Sequence, residues 1–249
     1  MKPTDSMLEE PREQAAVPDL NPWPVTIATY NIHGAVGADG RFLPGRIADV
    51  LREIDADVIA LQEVPLGGTD WPDVLHPLQQ ATGFISVEGP TRHGPKRRYG
   101  NAVLSRYPII ATRNIDLSFG SREPRGALDA DIDFHGHPLR VVATHLGLRP
   151  AERRAQIQRL LEAFDTDRMP VILLGDINEW FAWGRTLRTL EAHFESVPAP
   201  RTFPSRWPVF ALDRIWISPR HRLVHVDVHA TPLARVASDH LPLIAHIDG

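Results

Sequence analysis

The feature that most constrains this sequence is a run of four apolar residues at 171–174, which Gly175 follows directly. Such a run predicts a β-strand buried on both faces, and glycine ends it. Asp176 and Asn178 then stand at the carboxyl edge of the strand, where layered α/β proteins bind ligands. A carboxylate that accepts a proton from water, beside an amide that donates to an oxyanion, suits hydrolysis of a charged ester. Taken alone, the pair is more typical of a polar turn after a core strand.

The composition describes a globular protein and limits its chemistry. The chain has 249 residues, of which 43% are hydrophobic and 23% charged, and it can bury a sizeable core. Its net charge of −4 provides no global basic field of the kind that drives non-specific nucleic-acid binding. Because the chain has no cysteine, disulfides and thiolate chemistry are excluded, and a metal would need oxygen or imidazole ligands.

The location and domain organisation are also predicted from the sequence. The first residues lack the apolar core of a signal peptide, and no apolar run approaches the length of a membrane span. We therefore expect a soluble, cytoplasmic monomer without a transmembrane segment. Residues 1–24 carry five prolines and no hydrophobic periodicity, which predicts a flexible N-terminal arm before a single domain over 25–249.

The remaining strands are predicted to be of two kinds. Some alternate with helices, which are predicted at 70–82 and 151–164, whereas others follow one another as hairpins. This mixture predicts two packed, mixed sheets with helices outside them. The strands predicted in hairpins cover 100–104, 109–115, 127–134 and 139–144.

The ends of the predicted strands share a polar character and form a candidate site. Together they supply carboxylates for a hard cation, imidazoles for proton transfer and amides for contact with an oxyanion. Mg²⁺ takes oxygen ligands and usually needs only one or two carboxylates. One metal ion beside a general base and an imidazolium fits phosphoester hydrolysis. The residues are Asn31, Glu63, His145, Asp176, Asn178, Asp213, Asp239 and His240.

Seven short motifs in this chain resemble those of the endonuclease/exonuclease/phosphatase superfamily, which has the deoxyribonuclease-I-like fold. They occur in the order that the family has and extend from about residue 25 to the end of the chain. The motifs are TYNIH at 29–33, LQEV at 61–64, GNAVLS at 100–105, THL at 144–146, GDIN at 175–178, LDRI at 212–215 and SDH at 238–240.

The resemblance implies the fold and the metal site. The fold would be a four-layer α/β sandwich, with two packed mixed β-sheets flanked by helices and the site at one end of the two sheets. Glu63, helped by Asn31, would hold a catalytic Mg²⁺ or Mn²⁺ ion, and Asp239 would lie beside the metal or its waters.

The resemblance also implies the catalytic roles. Asp176 would position or deprotonate the attacking water, and Asn178 would hold a phosphate oxygen. His240 would donate to the phosphoryl oxygens, with Asp213 orienting its ring. His145 matches the second histidine of the deoxyribonuclease and sphingomyelinase branches, whereas the abasic-site endonuclease branch usually has tyrosine at that position.

The leading hypothesis is a Mg²⁺- or Mn²⁺-dependent hydrolase of phosphoester bonds, which would be a phosphodiesterase, a nuclease or a phosphatase. The substrate stays open between a nucleic acid, a phospholipid headgroup and a small phosphoester. Ala211-Leu212 stands where inositol-phosphatase members carry Trp-Cys, which counts against that branch. The alternative is a catalytically silent binding or regulatory module that keeps the same fold.

Four features near the motifs have competing interpretations. Arg125 either contacts a substrate phosphate or lies on the surface, and the basic cluster at 92–98 is either a phosphate-facing or a solvated loop. Trp180 follows Asn178 closely enough to line the site, although tryptophan is more often part of a core or a cleft wall. For His33 we expect structural packing.

Overall fold

The computed structural model describes residues 24–163 and 169–248 and places their strands in two sheets. Residues 1–23 of the predicted arm lie outside the described residues. Within the described part of the chain, no helix is long and apolar enough to cross a membrane.

The first sheet has six strands in the order β10-β11-β1-β2-β4-β3. β1 pairs with β2 in parallel and with β11 antiparallel, so the sheet is mixed as predicted. Its strands are β1 (Val25–Asn31), β2 (Val58–Pro65), β3 (Ile85–Gly94), β4 (Arg97–Ser105), β10 (Leu223–Val228) and β11 (Leu243–Ile247).

The second sheet has five strands in the order β5-β6-β7-β8-β9. It is also mixed, because β7 and β8 are parallel while the other neighbours are antiparallel. Its strands are β5 (Ile109–Asp116), β6 (Gly126–Phe134), β7 (His137–His145), β8 (Val171–Asp176) and β9 (Asp213–Ser218).

Helices cover the outer face of each sheet and complete four layers. Alternation along β1 shows the arrangement, since Ile27 faces the second sheet whereas Ala28 and Tyr30 pack with the helices of the first layer. One apolar cluster lies between the two sheets, and one lies under the helices on each side. The predicted four-layer sandwich is therefore confirmed. The helices are α1 (Pro44–Ile54), α2 (Leu75–Thr82), α3 (Pro150–Ala163), α4 (Arg185–Phe194) and the short α5 (Ala234–Ala237).

The strand register brings polar residues of three neighbouring strands together. Asp176 at the end of β8 pairs with His145 of β7 on one side and with Asp213 of β9 on the other. Gly175 makes this close approach feasible, because a Cβ atom there would lie 1.8 Å from the Thr144 carbonyl oxygen. The sequence at 171–178 therefore encodes both a buried strand, β8, and the polar residues at its carboxyl end.

Two local predictions are wrong. The helix predicted at 70–82 begins only at Leu75, because the preceding loop is hydrogen-bonded to the hairpin of β3 and β4. Pro77 consequently lies in the first turn, where its missing N–H costs no helical hydrogen bond and a kink is not required. The basic cluster predicted as a loop instead forms the end of the β3–β4 hairpin, with Arg97 and Arg98 on β4.

Candidate active site

The eight predicted site residues lie at one edge of the sandwich, on the ends of strands and on the loops that follow them. Asn31 connects the two sheets: its side-chain amide donates to Glu63 Oε1 and to Asp176 Oδ2, at 3.1 Å in each case. Its own oxygen accepts the His33 backbone N–H at 3.0 Å. The amide therefore sets the distance between the carboxylate of one sheet and that of the other.

Glu63 faces the site because β2 is irregular at this point. The register between β2 and β4 shifts between Leu61 and Val64, and Glu63 adopts a φ of +58°, which is uncommon for a residue with a side chain. Tyr99 of β4 donates its hydroxyl to Glu63 Oε2 at 2.8 Å. The Glu63 side chain keeps 24% exposure, so part of the carboxylate stays accessible to a cation.

Asp176 is the centre of the polar network. Its Oδ1 accepts the Asn178 backbone N–H at 2.9 Å, and its Oδ2 lies 3.5 Å from His145 Nε2 and 3.6 Å from His240 Nε2. Burial raises the pKa of Asp176 to about 7, with Asp213 adding to the rise and the charge of His240 opposing it. A carboxylate with this pKa can accept a proton near neutral pH.

His240 and Asp213 form a buried pair next to Asp176. The Nδ1–H of His240 donates to Asp213 Oδ2 at 2.8 Å, and the Thr202 hydroxyl donates to the same oxygen at 2.5 Å. Burial disfavours the charged imidazole, but the carboxylates of Asp213 and Asp176 outweigh it and raise the pKa of His240 to about 10. His240 is therefore an imidazolium at neutral pH, with its Nε2–H directed toward Asp176.

His145 has the opposite charge state. Burial and the neighbouring Arg125 guanidinium lower the pKa of His145 well below its ordinary value. Donor nitrogens lie against both ring nitrogens of His145: Arg125 Nη1 is 3.0 Å from Nδ1, and the Asn178 amide nitrogen is 3.0 Å from Nε2. The same Asn178 nitrogen donates to the Leu146 carbonyl oxygen at 3.0 Å.

The residues fit a divalent metal ion. Asp213 Oδ1 is buried and has no hydrogen-bond partner among the described residues, which indicates an excess of negative charge at this edge. Ligand atoms of Asp176, Asp213 and His240 lie within 4.8 Å of one another. Mg²⁺ prefers oxygen ligands, so the two carboxylates of this group, and not the imidazole, are the donors that suit it.

Asp239, the other predicted metal-site acid, keeps a side-chain exposure of 35%. Its Oδ1 lies 3.8 Å from His33 Nδ1. The His33 ring nitrogen Nδ1 also lies 3.1 Å from the Val36 carbonyl oxygen, a local contact compatible with the packing role predicted for it, while 44% of the side chain is exposed and borders a cavity together with Glu63. His33 begins the 3₁₀ turn at His33–Ala35, which follows β1 directly.

Arg125 and Trp180, which had two interpretations each in the sequence, both lie close to the candidate site. Arg125 is only 9% exposed and borders the same small cavity as Glu63, Asn101 and His145, so the surface interpretation is wrong. Trp180 is 38% exposed and meets Phe203 edge-on, with ring centroids 5.7 Å apart. Phe203 in turn lies 4.8 Å from the His240 ring, so Trp180 belongs to the wall behind His240.

Two residues of the polar network, Tyr99 and Thr202, are not predicted from the sequence. Tyr99 directly precedes the motif at 100–105, which was the one available signal for it, and Thr202 lies in a Pro- and Arg-rich loop without any motif. Both act through contacts between segments that are distant in sequence: Tyr99 with Glu63, and Thr202 with Asp213.

Comparison with known proteins agrees with this geometry. The sequence model of the Endonuclease/Exonuclease/phosphatase family matches residues 28–240. The chain belongs to this family. Membership of the endonuclease/exonuclease/phosphatase family supports a hydrolase of phosphoester bonds.

Relatives of this endonuclease/exonuclease/phosphatase chain include proteins and solved structures from several organisms. The chain is 35% identical over 244 residues to the uncharacterized protein YbhP of Escherichia coli K12, covering 89% of this chain and 95% of that protein. An endonuclease/exonuclease/phosphatase from Beutenbergia cavernae has a TM-score of 0.74 at 24% identity, covering 90% of this chain and 71% of that one. Truncated TDP2 from Caenorhabditis elegans has a TM-score of 0.66 at 18% identity, covering 93% of this chain and 100% of that one.

Proposed function

We propose that this protein is a Mg²⁺- or Mn²⁺-dependent hydrolase of phosphoester bonds. The observation that carries the proposal is the position of Asp176 Oδ2. This oxygen accepts from the Asn31 amide at 3.1 Å and lies 3.5 Å from His145 and 3.6 Å from His240. A proton-accepting carboxylate is thus surrounded by donors that can stabilise a negatively charged phosphoryl group.

The carboxylates of Glu63 and Asp239 would hold the metal ion, with Asn31 fixing the position of Glu63. When bound, the ion polarises a phosphoryl oxygen and neutralises part of the charge that develops in the transition state. The Asn31 amide donates to the carboxylates of Glu63 and Asp176. These contacts support the role of Asn31 and Glu63, because they hold Glu63 next to Asp176 of the opposite sheet.

Asp176 would take the proton from the attacking water. Its pKa of about 7 supports this role, because the most effective general base has a pKa near the working pH. The Asn178 side chain would hold a phosphate oxygen beside it. The loop after β8 supports this position, because the Asn178 backbone N–H is held by Asp176 Oδ1 at 2.9 Å.

His240 would donate its Nε2–H to the phosphoryl oxygens. Asp213 holds the other ring nitrogen at 2.8 Å, so the ring has one orientation and its charged form is favoured. Neutral His145 would lie on the other side of Asp176, with its Nε2 3.5 Å from Asp176 Oδ2. One charged and one neutral imidazole therefore face the same oxygen.

Release of nitrophenol from bis-p-nitrophenyl phosphate tests the proposal. We expect turnover with Mg²⁺ or Mn²⁺ that stops when a chelator is added, and a loss of about 10²-fold or more in Asp176→Asn. Arg188→Gln, at an exposed position of the outer helix α4, is the control and should keep the wild-type rate. Absence of metal-dependent turnover on this ester and on nucleic acids, phospholipids and phosphorylated small molecules would instead support a catalytically silent module.

A further inference from the structure

A second cavity opens beside the candidate active site. It has a volume of about 420 Å³ and shares Glu63 and Tyr99 with the small cavity that contains Asn101 and His145. Its other walls include Phe42 and Trp71, and Phe42 is 46% exposed although it is a large apolar residue. A group joined to a phosphate at Glu63 can therefore extend directly into an aromatic cavity.

One positively charged side chain, Arg97, lines this cavity and has no anionic partner among the described residues. The Arg97 guanidinium lies 3.8 Å above the centre of the Trp71 ring and 5.4 Å from the centre of the Tyr99 ring. No carboxylate in the described part of the chain pairs with Arg97. The terminal guanidinium nitrogens of Arg97 form no hydrogen bond with a described residue and are not among the buried polar atoms, unlike its Nε. They are therefore donors that an anionic ligand in the cavity can use.

The cavity is preformed rather than dependent on a ligand. The loop that carries Trp71 is fixed to the hairpin that carries Arg97, since Thr69 N–H donates to the Pro95 carbonyl at 3.1 Å and Asp70 N–H donates to the Lys96 carbonyl at 3.2 Å. The backbone passes so close at Gly68 that a Cβ there would lie 2.4 Å from the Lys96 carbonyl oxygen. A rigid site of this kind loses little conformational entropy on binding.

We propose that this cavity binds the part of the substrate that is joined to the scissile phosphate, and that this part carries a planar ring and a second anionic group. The aromatic walls suit the face of a ring, and Arg97 suits a phosphate or carboxylate through charge-assisted hydrogen bonds. A nucleotide with a second phosphate carries both features. This inference rests on the proposed function, because it takes Glu63 as the place of the scissile phosphate.

A pair of substrates that differ only in the second phosphate tests the assignment. They are the p-nitrophenyl ester of thymidine 5′-phosphate and the same ester with an added 3′-phosphate. We expect the wild type to prefer the 3′-phosphorylated ester by about tenfold or more in kcat/KM, as one charge-assisted contact provides. In Arg97→Gln this preference should disappear, and in Arg97→Lys part of it should remain.

The control variant for charge is Arg188→Gln, which removes one positive charge from the exposed side of α4 and should keep the wild-type preference. Trp71→Leu keeps an apolar wall but removes the surface on which Arg97 stacks, and it should lower the preference as well. Circular dichroism and thermal unfolding identify any variant that has lost its fold. Equal kcat/KM values for the two esters in the wild type, or an unchanged preference in folded Arg97→Gln, would overturn the proposal.

Binding without turnover separates this proposal from the proposed function. Calorimetry with thymidine 3′,5′-bisphosphate in the presence of a chelator should show binding to the wild type that weakens about tenfold or more in Arg97→Gln. If no ester is hydrolysed but this dependence on Arg97 is found, the proposed function fails and the anion site stands. If the bisphosphate binds the wild type no better than Arg97→Gln, the anion site is wrong, whatever the activity.

Discussion

The imidazole of His240 and the carboxylate of Asp213 meet at 2.8 Å in a buried position, with Asp213 at the start of β9 and His240 just before β11. The contact fixes the ring nitrogen that carries the proton and keeps the ring charged. We therefore expect the two residues to act as a unit. His240→Ala should lose about 10² to 10³ in kcat, as does removal of one preorganised donor, and Asp213→Ala should lose less because it does not contact the substrate.

The double variant His240→Ala/Asp213→Ala measures this coupling. If Asp213 acts only through His240, the double variant should lose little more than His240→Ala alone. Kinetics on bis-p-nitrophenyl phosphate, with circular dichroism to check the fold, supply the four rates of the cycle. A double variant that loses the product of the two single effects would show that the residues act independently.

Asn178→Ala should lower kcat by about 10² to 10³ with a smaller change in KM, because the proposed contact to a phosphate oxygen strengthens in the transition state. The Asn178 backbone conformation has a φ of +53°, which asparagine tolerates better than alanine. Asn178→Gly relieves this strain while also removing the side chain, so it serves as the matched variant. If Asn178→Ala loses activity but Asn178→Gly keeps the wild-type rate, the loss comes from backbone strain and not from the missing amide.

Glu63→Gln should raise the Mg²⁺ concentration needed for half-maximal activity and leave the fold intact. The change removes the negative charge that a hard cation prefers but keeps the shape of the side chain. The matched control is Glu162→Gln at an exposed position of α3, which should not change the metal dependence. Titration of activity with Mg²⁺ in the three proteins is the measurement, and wild-type dependence in Glu63→Gln would contradict the assignment.

Arg113 should contribute to stability rather than to catalysis. Its guanidinium donates to both Asp129 and Asp131, with N–O distances of 2.7 to 2.9 Å, and Asp129 is only 1% exposed. Arg113→Met would leave these carboxylates with Arg140 alone, and we expect a loss of about 1 to 3 kcal/mol in the free energy of unfolding at pH 7. Urea unfolding of the two proteins measures the difference, and Arg188→Met, on the exposed side of α4, should change stability by less than about 0.5 kcal/mol.

The same variant should show a defined pH dependence. Burial raises the pKa of Asp131, but the hydrogen bonds from Arg113 and Arg140 outweigh it and hold the pKa below its ordinary value. A lowered folded-state pKa adds stability above the ordinary value, and that stability is lost as the pH falls through the folded-state value. The stability difference between wild type and Arg113→Met should therefore shrink below about pH 4. A difference at pH 3 as large as that at pH 7 would contradict this origin.

Those parts of the site that lie on strand ends could be predicted from the sequence. Apolar runs predict where strands end, and the polar residue after each run is the one that meets the site. Asp176 and His145 illustrate this, since both follow buried runs and lie side by side in the register of β7 and β8. Residues 25–30 likewise alternate as a strand does, and in β1 Ile27 packs in one apolar layer while Ala28 and Tyr30 pack in the other.

The contacts that define charge states could not be predicted in this way, because they join segments that are distant in sequence. Arg125 and His145 are 20 residues apart, and their contact adds to the burial that lowers the pKa of His145. Trp71 and Arg97 meet only because a loop is hydrogen-bonded to a hairpin. No periodicity or motif in a single sequence reports such pairings.

A single-turnover reaction in water enriched in ¹⁸O tests most directly the central claim that a water held at Asp176 attacks phosphorus. With enzyme in excess over bis-p-nitrophenyl phosphate and Mg²⁺ present, the p-nitrophenyl phosphate formed should carry one ¹⁸O atom and the nitrophenol none. Asp176→Asn should form the same labelled product at a rate that is lower by about 10²-fold or more. Unlabelled p-nitrophenyl phosphate, or a rate of formation that Asp176→Asn leaves unchanged, would contradict the account.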